Sequence, residues 1–261
     1  RDIEPETNTV ADLIPQFLPG SADDFRLLTD AVGEKGYRQI DINLGCPFPM
    51  IAGKHKGAGM LLYPAQVAEV LAPIAEYPEI QFSLKMRLGW ENASECMVLV
   101  ELLNTLRLSR IALHARTGKQ QYKGHPDLEA FQGFYELCQH PLYYNGDIES
   151  LSDIRQILTR FPLLKGVFIG RGLLSSPLLA KEFKGNETFL PEQRMSIYFA
   201  FHEELFSAYS QVLQGETQLL VKMKTLWEYF LPETDRKLLK RIKKSTRLQQ
   251  YTESVKAIFT S

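Results

Sequence analysis

The chain is expected to fold as an α/β protein, a (β/α)8 barrel followed by an all-helical domain, on three observations. From about residue 13 to 190, short β-branched or apolar runs alternate with polar turns and then with longer segments of helical period. The residues that could carry chemistry stand just after those runs. After residue 189 the runs stop and only helical periodicity remains. Strands are read at about 13–18, 39–44, 80–86, 110–115, 141–145 and 166–170. Between them lie helices such as 23–35, with Phe25, Leu27, Leu28, Ala31 and Val32, and 93–106, with Met97, Val98, Val100, Leu102 and Leu103. Such alternation with right-handed crossovers gives a parallel sheet. Five chemically loaded loops favour closure into a barrel, where all strand C-termini meet at one mouth, over an open sheet, where one or two switch-point loops dominate.

Six strands leave the barrel two short, and residues 1–12 are polar and turn-like, so an N-terminal portion of the barrel is expected to be missing from the numbered sequence. Segments at about 191–213, 217–230 and 235–259 read as three helices with no strand between them. The domain boundary is therefore placed between 189 and 190, with a barrel domain at 1–189 and a helical domain at 190–261.

The composition, 44% hydrophobic and 23% charged over 261 residues, is that of an ordinary globular protein. No apolar run approaches the roughly 18 uncharged residues of a membrane helix, and the acidic start is unlike a signal peptide. A cytoplasmic location is expected, and no protein partner is inferred. Cys46, Cys96 and Cys138 are too few and too scattered for a disulfide framework or a metal site, so no metal is expected and a special cysteine would be a free thiol. The net charge of −1 conceals an asymmetry: 19 Lys and Arg against 23 Asp and Glu in residues 1–190, but 11 against 8 in 191–261.

The strongest motif is Ile40-Asp41-Ile42-Asn43-Leu44-Gly45-Cys46-Pro47, followed by a glycine-rich loop with Gly53, Gly57, Ala58 and Gly59. A lone cysteine is ordinarily an inert buried residue. Cys46, however, leaves a strand at a Gly-Cys-Pro turn beside glycines that let backbone approach a ligand. A free thiol is mostly protonated near neutral pH, which suits a general acid.

Alternation places Lys85 and Arg87 on one strand face and Leu84 and Met86 on the other, and the charged pair must point into a barrel whose outside is covered by helices. An inward lysine needs an anionic or electron-rich partner, either a structural carboxylate or a ligand. His114-Ala115-Arg116-Thr117-Gly118 repeats the argument with imidazole and guanidinium, and His114 alone could equally be a satisfied core histidine. Asn145-Gly146-Asp147 and Gly170-Arg171-Gly172, one βα unit apart, resemble the phosphate grip of the last two barrel strands, although each is also an ordinary turn.

Seven cations and no acid occupy residues 236–247, with Arg236, Lys240, Lys243 and Arg247 in one helical stripe and Lys237, Arg241 and Lys244 beside it. A solvated helix face is the ordinary explanation of a charge run. Unrelieved repulsion between so many cations points instead to a polyanion.

Together these motifs resemble the tRNA-dihydrouridine synthase family, flavoproteins with an FMN-binding (β/α)8 barrel and a C-terminal helical domain. The resemblance runs from about Ile14 to Leu178 and includes Gln16, Asn43 to Pro47, Gly57 to Gly59, Lys85 to Arg87, His114 to Thr117, Asn145 to Asp147 and Gly170-Arg171, in family order. It implies that Cys46 donates a proton to uridine and that Gln16, Lys85 and His114 lie at the flavin. It further implies that Asn145, Gly146, Asp147, Gly170 and Arg171 hold the flavin phosphate, and that Asn43, Arg87 and Arg116 face the RNA. NADPH would be the reductant and tRNA the substrate, its uridine flipped out to reach the barrel mouth. The family's first strand, with its Pro-Met contact to FMN, has no counterpart in the numbered sequence. Two alternatives stay open on the residues alone: an FMN barrel acting on a free small molecule, and a non-catalytic RNA-binding protein.

Overall fold

A computed structural model describes residues 3–8 and 13–260. The expected turn-like stretch 1–12 is thus described only at 3–8, where Pro5–Thr7 form a single 3-10 turn, and the rest of that stretch lies outside the described residues.

Six strands alternate with helices: β1 (Gln16–Phe17), β2 (Gln39–Leu44), β3 (Gln81–Gly89), β4 (Leu108–Thr117), β5 (Leu142–Asn145) and β6 (Gly166–Phe168). They pair in parallel and in sequence order, β1 to β6, without the reversal that marks a doubly wound open sheet. That succession is the one strands follow around a (β/α)8 barrel, and six of them are present among the described residues.

The helices between strands are α1 (Ala22–Gly33), the short α2 (Pro49–Ala52), α3 (Pro64–Leu71), α4 (Glu95–Thr105), α5 (Leu128–Leu137) and α6 (Leu151–Arg160). Polar caps start three of them: Ser21 Oγ accepts from the Asp24 amide at 3.1 Å, Asp127 Oδ1 from the Ala130 amide at 2.9 Å, and Ser150 Oγ from the Asp153 amide at 3.1 Å. Alternation sends Ile40, Ile42, Leu44, Phe82, Leu84, Met86, Leu88, Ile111, Leu113 and Tyr144 to one sheet face, where all are buried. Phe25 of α1 packs its ring 5.2 Å from Phe82, and Phe131 of α5 lies 5.0 Å from both Tyr144 and Phe161. Each such side chain contributes about 1.5–3 kcal/mol of burial. This apolar layer fixes which way the opposite, polar face must point.

Beyond β6 come α7 (Arg171–Ser175), α8 (Leu179–Gly185), α9 (Pro191–Val212), α10 (Glu216–Leu226), α11 (Arg236–Lys244) and α12 (Leu248–Phe259). Tyr198, Met223, Trp227, Phe230, Ile242, Tyr251 and Val255 form the core of this bundle. Its polar heart is Tyr251 Oη, which accepts from Trp227 Nε1 at 3.0 Å and meets His202 Nε2 at 2.7 Å.

The single helix expected over 235–259 is in fact two. Ser245 and Arg247 are extended, at φ −57°, ψ 136° and φ −128°, ψ 147°. The cause is local polar competition for backbone. Buried Ser245 Oγ donates to the Ile242 carbonyl at 2.7 Å, Lys224 Nζ takes the Ser245 carbonyl, and the Thr246 amide donates to Gln250 Oε1 at 3.1 Å. Arg247 consequently stands at the start of α12, outside the stripe expected for Arg236, Lys240 and Lys243.

Contacts divide the chain into two compact units, Arg1–Asp147 with Arg155–Phe168, and Ile148–Ile154 with Ile169–Ser261. Among the described residues no helix is long and apolar enough to cross a membrane.

Candidate active site

The polar face of the sheet is assembled by register. Gln16, Asp41 and Ser83 stand side by side across β1, β2 and β3, Asn43 pairs with Lys85, and Arg87, His114, Asn145 and Phe168 form a row across β3 to β6. Residues paired in a parallel ladder share a face, so the amides, ammonium and imidazole expected from separate motifs meet on one surface, together with the Asp41 carboxylate.

A continuous hydrogen-bonded chain runs along it. Ser83 Oγ donates to Asp41 Oδ1 at 2.6 Å, Gln16 Nε2 donates to Asp41 Oδ2 at 2.5 Å, and Asn43 Nδ2 donates to Gln16 Oε1 at 2.8 Å. Asn43 Oδ1 then accepts the backbone amides of Gly45 and Cys46, both at 2.9 Å. The chain therefore ends on the loop that carries the thiol, turning it immediately after β2. Asp41 and Ser83 did not emerge as candidates from the motifs. The signal was present in the period-2 alternation, since each lies two residues before a residue that did, Asn43 and Lys85.

Lys85 is half-buried, and its ammonium has no hydrogen bond or ion pair among the described residues. Burial pushes its ammonium pKa down from the usual lysine value, reinforced by the Arg87 charge and opposed by Asp41. On a face where every neighbouring amide is engaged, it is the donor left for a ligand.

The Cys46 loop is clamped from three sides. Asn43 holds its amides, Arg87 Nε donates to the Gly45 carbonyl at 3.0 Å, and the Ala58 amide donates to the Cys46 carbonyl at 3.0 Å. Gly57 lies against it at φ +56°, where an added Cβ would sit 2.8 Å from the Cys46 carbonyl oxygen and 2.9 Å from its Cβ. The glycine is thus required by both conformation and space. Gly57→Ala is expected to lower the unfolding free energy by about 2 kcal/mol or more through its left-handed backbone and the clash together. Chemical denaturation measures this, and an unchanged midpoint contradicts the packing described.

Arg87 and Arg116, expected to face RNA, do something else. They are only 2% and 1% exposed, and both spend their donors on the protein. Besides Gly45, Arg87 Nη1 reaches the carbonyls of Thr117 at 2.8 Å and Gln121 at 2.7 Å, and its guanidinium lies 5.5 Å from the Tyr122 ring centroid. Burial pushes the Arg87 pKa down to about 10, which still leaves it charged at neutral pH. Arg116 is forked onto Asp147, with Nη1 on Oδ1 at 2.8 Å and Nη2 on Oδ2, and its Nη2 also donates to the Gly124 carbonyl at 2.7 Å. A guanidinium buried in a barrel wall cannot lie free in low dielectric, so it gathers carbonyls and a carboxylate. The two arginines tie the loops after β2, β4 and β5 together.

Arg116 Nη1 also lies 3.4 Å from His114 Nε2. In that contact the guanidinium can only donate. Asn145 Nδ2 donates to the Phe168 carbonyl at 2.9 Å, and Gly146 has φ +146°, where a Cβ would meet Tyr144 Oη at 2.9 Å. The Asp147 carboxylate is held by Arg116 and so would repel, not bind, a phosphate; only its backbone could take part. Gly170 and Arg171 begin α7 in the second compact unit, where Gly170 is exposed and nothing lies within 4 Å of a Cβ placed on it. Arg236, Lys240 and Lys243 are on α11, whose start is capped by Asp235 Oδ1 accepting from the Lys237 amide at 2.6 Å.

A clamped thiol, an ammonium without a partner among the described residues and an imidazole, carried at the strand ends of an apolar-backed parallel sheet, are the arrangement of an α/β barrel with a candidate site at its strand C-termini. Residues 4–260 match the family model for dihydrouridine synthase (Dus), and the chain belongs to that family, one of TIM barrels with a helical C-terminal domain. The tRNA-dihydrouridine synthase B of Vibrio vulnificus is 28% identical over 176 residues, 65% of this chain and 54% of its own. A probable tRNA-dihydrouridine synthase of Rhizobium leguminosarum bv. phaseoli is 32% identical over 139 residues, 53% of this chain and 44% of its own. The chain spans about half the length of the curated relatives it matches.

Proposed function

We propose that the protein is an FMN-dependent tRNA-dihydrouridine synthase, reducing the C5–C6 double bond of uridines in tRNA with NADPH as electron source. The observation that carries the reading is the unpartnered Lys85 ammonium on a face whose hydrogen bonds otherwise terminate on the Cys46 loop. That face fits a flavin: the family is FMN-dependent, Lys85 offers an unengaged donor to the ring system, and the family resemblance implies that Gln16 and His114 lie beside it. Asn145, with the backbone of Gly146 and Asp147, would hold its phosphate end, and the family resemblance implies the same role for Gly170 and Arg171. When bound, FMN supplies the hydride for uracil C6.

The remaining chemistry falls to the chain. Cys46 donates its thiol proton to C5, so that hydride and proton together add two hydrogens to the double bond. Asn43, by gripping the Gly45 and Cys46 amides, sets where that proton is offered. Arg87 and Arg116 serve the RNA indirectly, by holding the loops that surround it. A base stacked in RNA cannot reach a barrel mouth, so the uridine is bound flipped out.

The reading divides the labour near residue 189. The barrel part, 1–189, performs the reduction, and the helical part, 190–261, binds tRNA through Arg236, Lys240, Lys243 and Arg247. Support comes from a cleft of about 460 Å³ between α11 and α12, lined by Lys237, Lys240, Arg241 and Lys244 with one acid, Glu253; of the four cations named it takes in Lys240. Neutralising Lys240 and Lys243 together is expected to reduce the log–log salt slope of tRNA binding by about 1 to 2. Binding titrations across ionic strength measure this, and an unchanged slope removes α11 from the interface. Action on tRNA also accords with a cytoplasmic location.

The experiment for the function itself is incubation of unmodified tRNA with the protein, FMN and NADPH, followed by nucleoside mass analysis. Dihydrouridine is the expected product. NADPH-driven reduction of a free small molecule with no action on tRNA would favour the other flavin-barrel chemistry.

A further inference from the structure

The segment that follows Cys46 exposes apolar side chains that no core requirement explains. Phe48 is 62% and Met50 74% exposed, whereas the buried residue of α2 is the small Ala52. Phe48 stands between Pro47 and Pro49 in extended backbone, φ −66°, ψ 126°. Flanking prolines restrict the chain, so the ring is displayed with little conformational entropy left to lose on contact. Further along lie exposed Lys54, whose ammonium has no hydrogen bond or ion pair among the described residues, and exposed His55, stacked 4.2 Å from the half-exposed Tyr63 ring.

An aromatic ring, a thioether, a free ammonium and a stacked ring pair on one short segment suit a partner with flat π-faces joined by anions. Nucleobases and their phosphates have that composition, and single-stranded binders combine aromatic platforms with cations in the same way. Phe48 follows Cys46 by two residues, so it stands at most about 7 Å along the chain from the proton donor. Flipping a uridine out of its stack costs a few kcal/mol and exposes the faces of its neighbours.

We infer that Phe48, supported by Met50, is a stacking residue that covers the bases flanking the flipped uridine, making the loop bearing Cys46 also a specificity surface for RNA. This rests on the proposed tRNA-dihydrouridine synthase activity and adds a residue role to it. Phe48 is a positioning residue here, since it touches the neighbours of the reacting base.

The test uses the intact protein with tRNA. In Phe48→Ala, kcat/KM for tRNA is expected to fall about 5- to 100-fold, the range of one lost base–aromatic stack. The rate of flavin reduction by NADPH without tRNA should stay unchanged, because the side chain is exposed, and Phe48→Tyr should restore turnover. In Phe48→Trp, the added indole emission should be quenched by tRNA but not by inorganic polyphosphate, which presents anions without bases. Phe48→Ala turnover within twofold of the parent protein overturns the inference, as does equal quenching by tRNA and polyphosphate. Failure of the parent protein to form dihydrouridine, with tRNA-specific quenching retained, would instead overturn the reaction and leave the stacking surface standing. Quenching by added proteins but not by tRNA would reassign the surface to a protein partner and contradict it.

Discussion

Cys46→Ala is expected to lower dihydrouridine formation by about 10²- to 10⁴-fold, the ordinary range for removing a positioned general acid. Binding of FMN and its reduction by NADPH should persist, because the thiol contributes nothing to the hydrogen-bonded chain of Ser83, Asp41, Gln16 and Asn43; only the Cys46 backbone does. The substitution leaves every clamp on the loop in place, so a fall in turnover reports the proton and not the fold. Single-turnover mixing of reduced protein with tRNA measures the step. Turnover near that of the parent protein would mean that another group, or water, protonates C5.

The second large effect is structural. Arg87→Met should destabilise the protein by about 3 kcal/mol or more, since three backbone carbonyls, those of Gly45, Thr117 and Gln121, lose a charged donor. That corresponds to a fall in melting temperature of about 6 °C or more. Arg87→Lys should recover only a fraction, because an ammonium is a point donor and cannot serve three carbonyls on two separate chain segments as a planar fork does. Thermal unfolding of the two variants against the parent checks both statements. A direct RNA-binding role for Arg87 predicts the opposite pattern: unchanged melting, with weakened tRNA affinity in both.

Much of this arrangement was legible in the sequence because strand alternation is a local property. The limits of β2, 39–44, follow from its run of β-branched residues, and the shared face of Lys85 and Arg87 follows from their spacing alone. What a side chain on that face touches is not local. The acceptors of Arg87 lie 30 to 42 positions away, and those of Arg116 include Asp147 on the far side of another βα unit. The same motifs that brought the two arginines to notice could therefore not tell a ligand-facing cation from a loop clamp. Asp41 was hidden for a related reason: inside the run Ile40 to Leu44 it reads as a charged interruption, and its worth appears only when Gln16 and Ser83 arrive from neighbouring strands. At the other end of the chain the helical period runs unbroken through 245–247, while the side chains that divide α11 from α12 act through Lys224 and Gln250 as well as locally.

The phosphate end of the proposed flavin site shows a further limit. Asn145-Gly146-Asp147 is in the sheet unit and Gly170-Arg171 in the second unit, although the motifs lie one βα unit apart in sequence. Asp147 moreover has its carboxylate committed to Arg116. The glycine at 146 is explained by its own turn, at φ +146°, without reference to a ligand. The proposed phosphate grip therefore rests on the spacing between the two motifs, and the geometry of neither motif adds to it.

Unmodified tRNA treated with the protein, FMN and NADPH is digested to nucleosides and weighed, beside the same reaction with Cys46→Ala. The expected result is a uridine heavier by two hydrogens in the first digest and at most a trace in the second. Unaltered uridine in both digests, from protein that binds FMN and consumes NADPH, would contradict the proposed reaction.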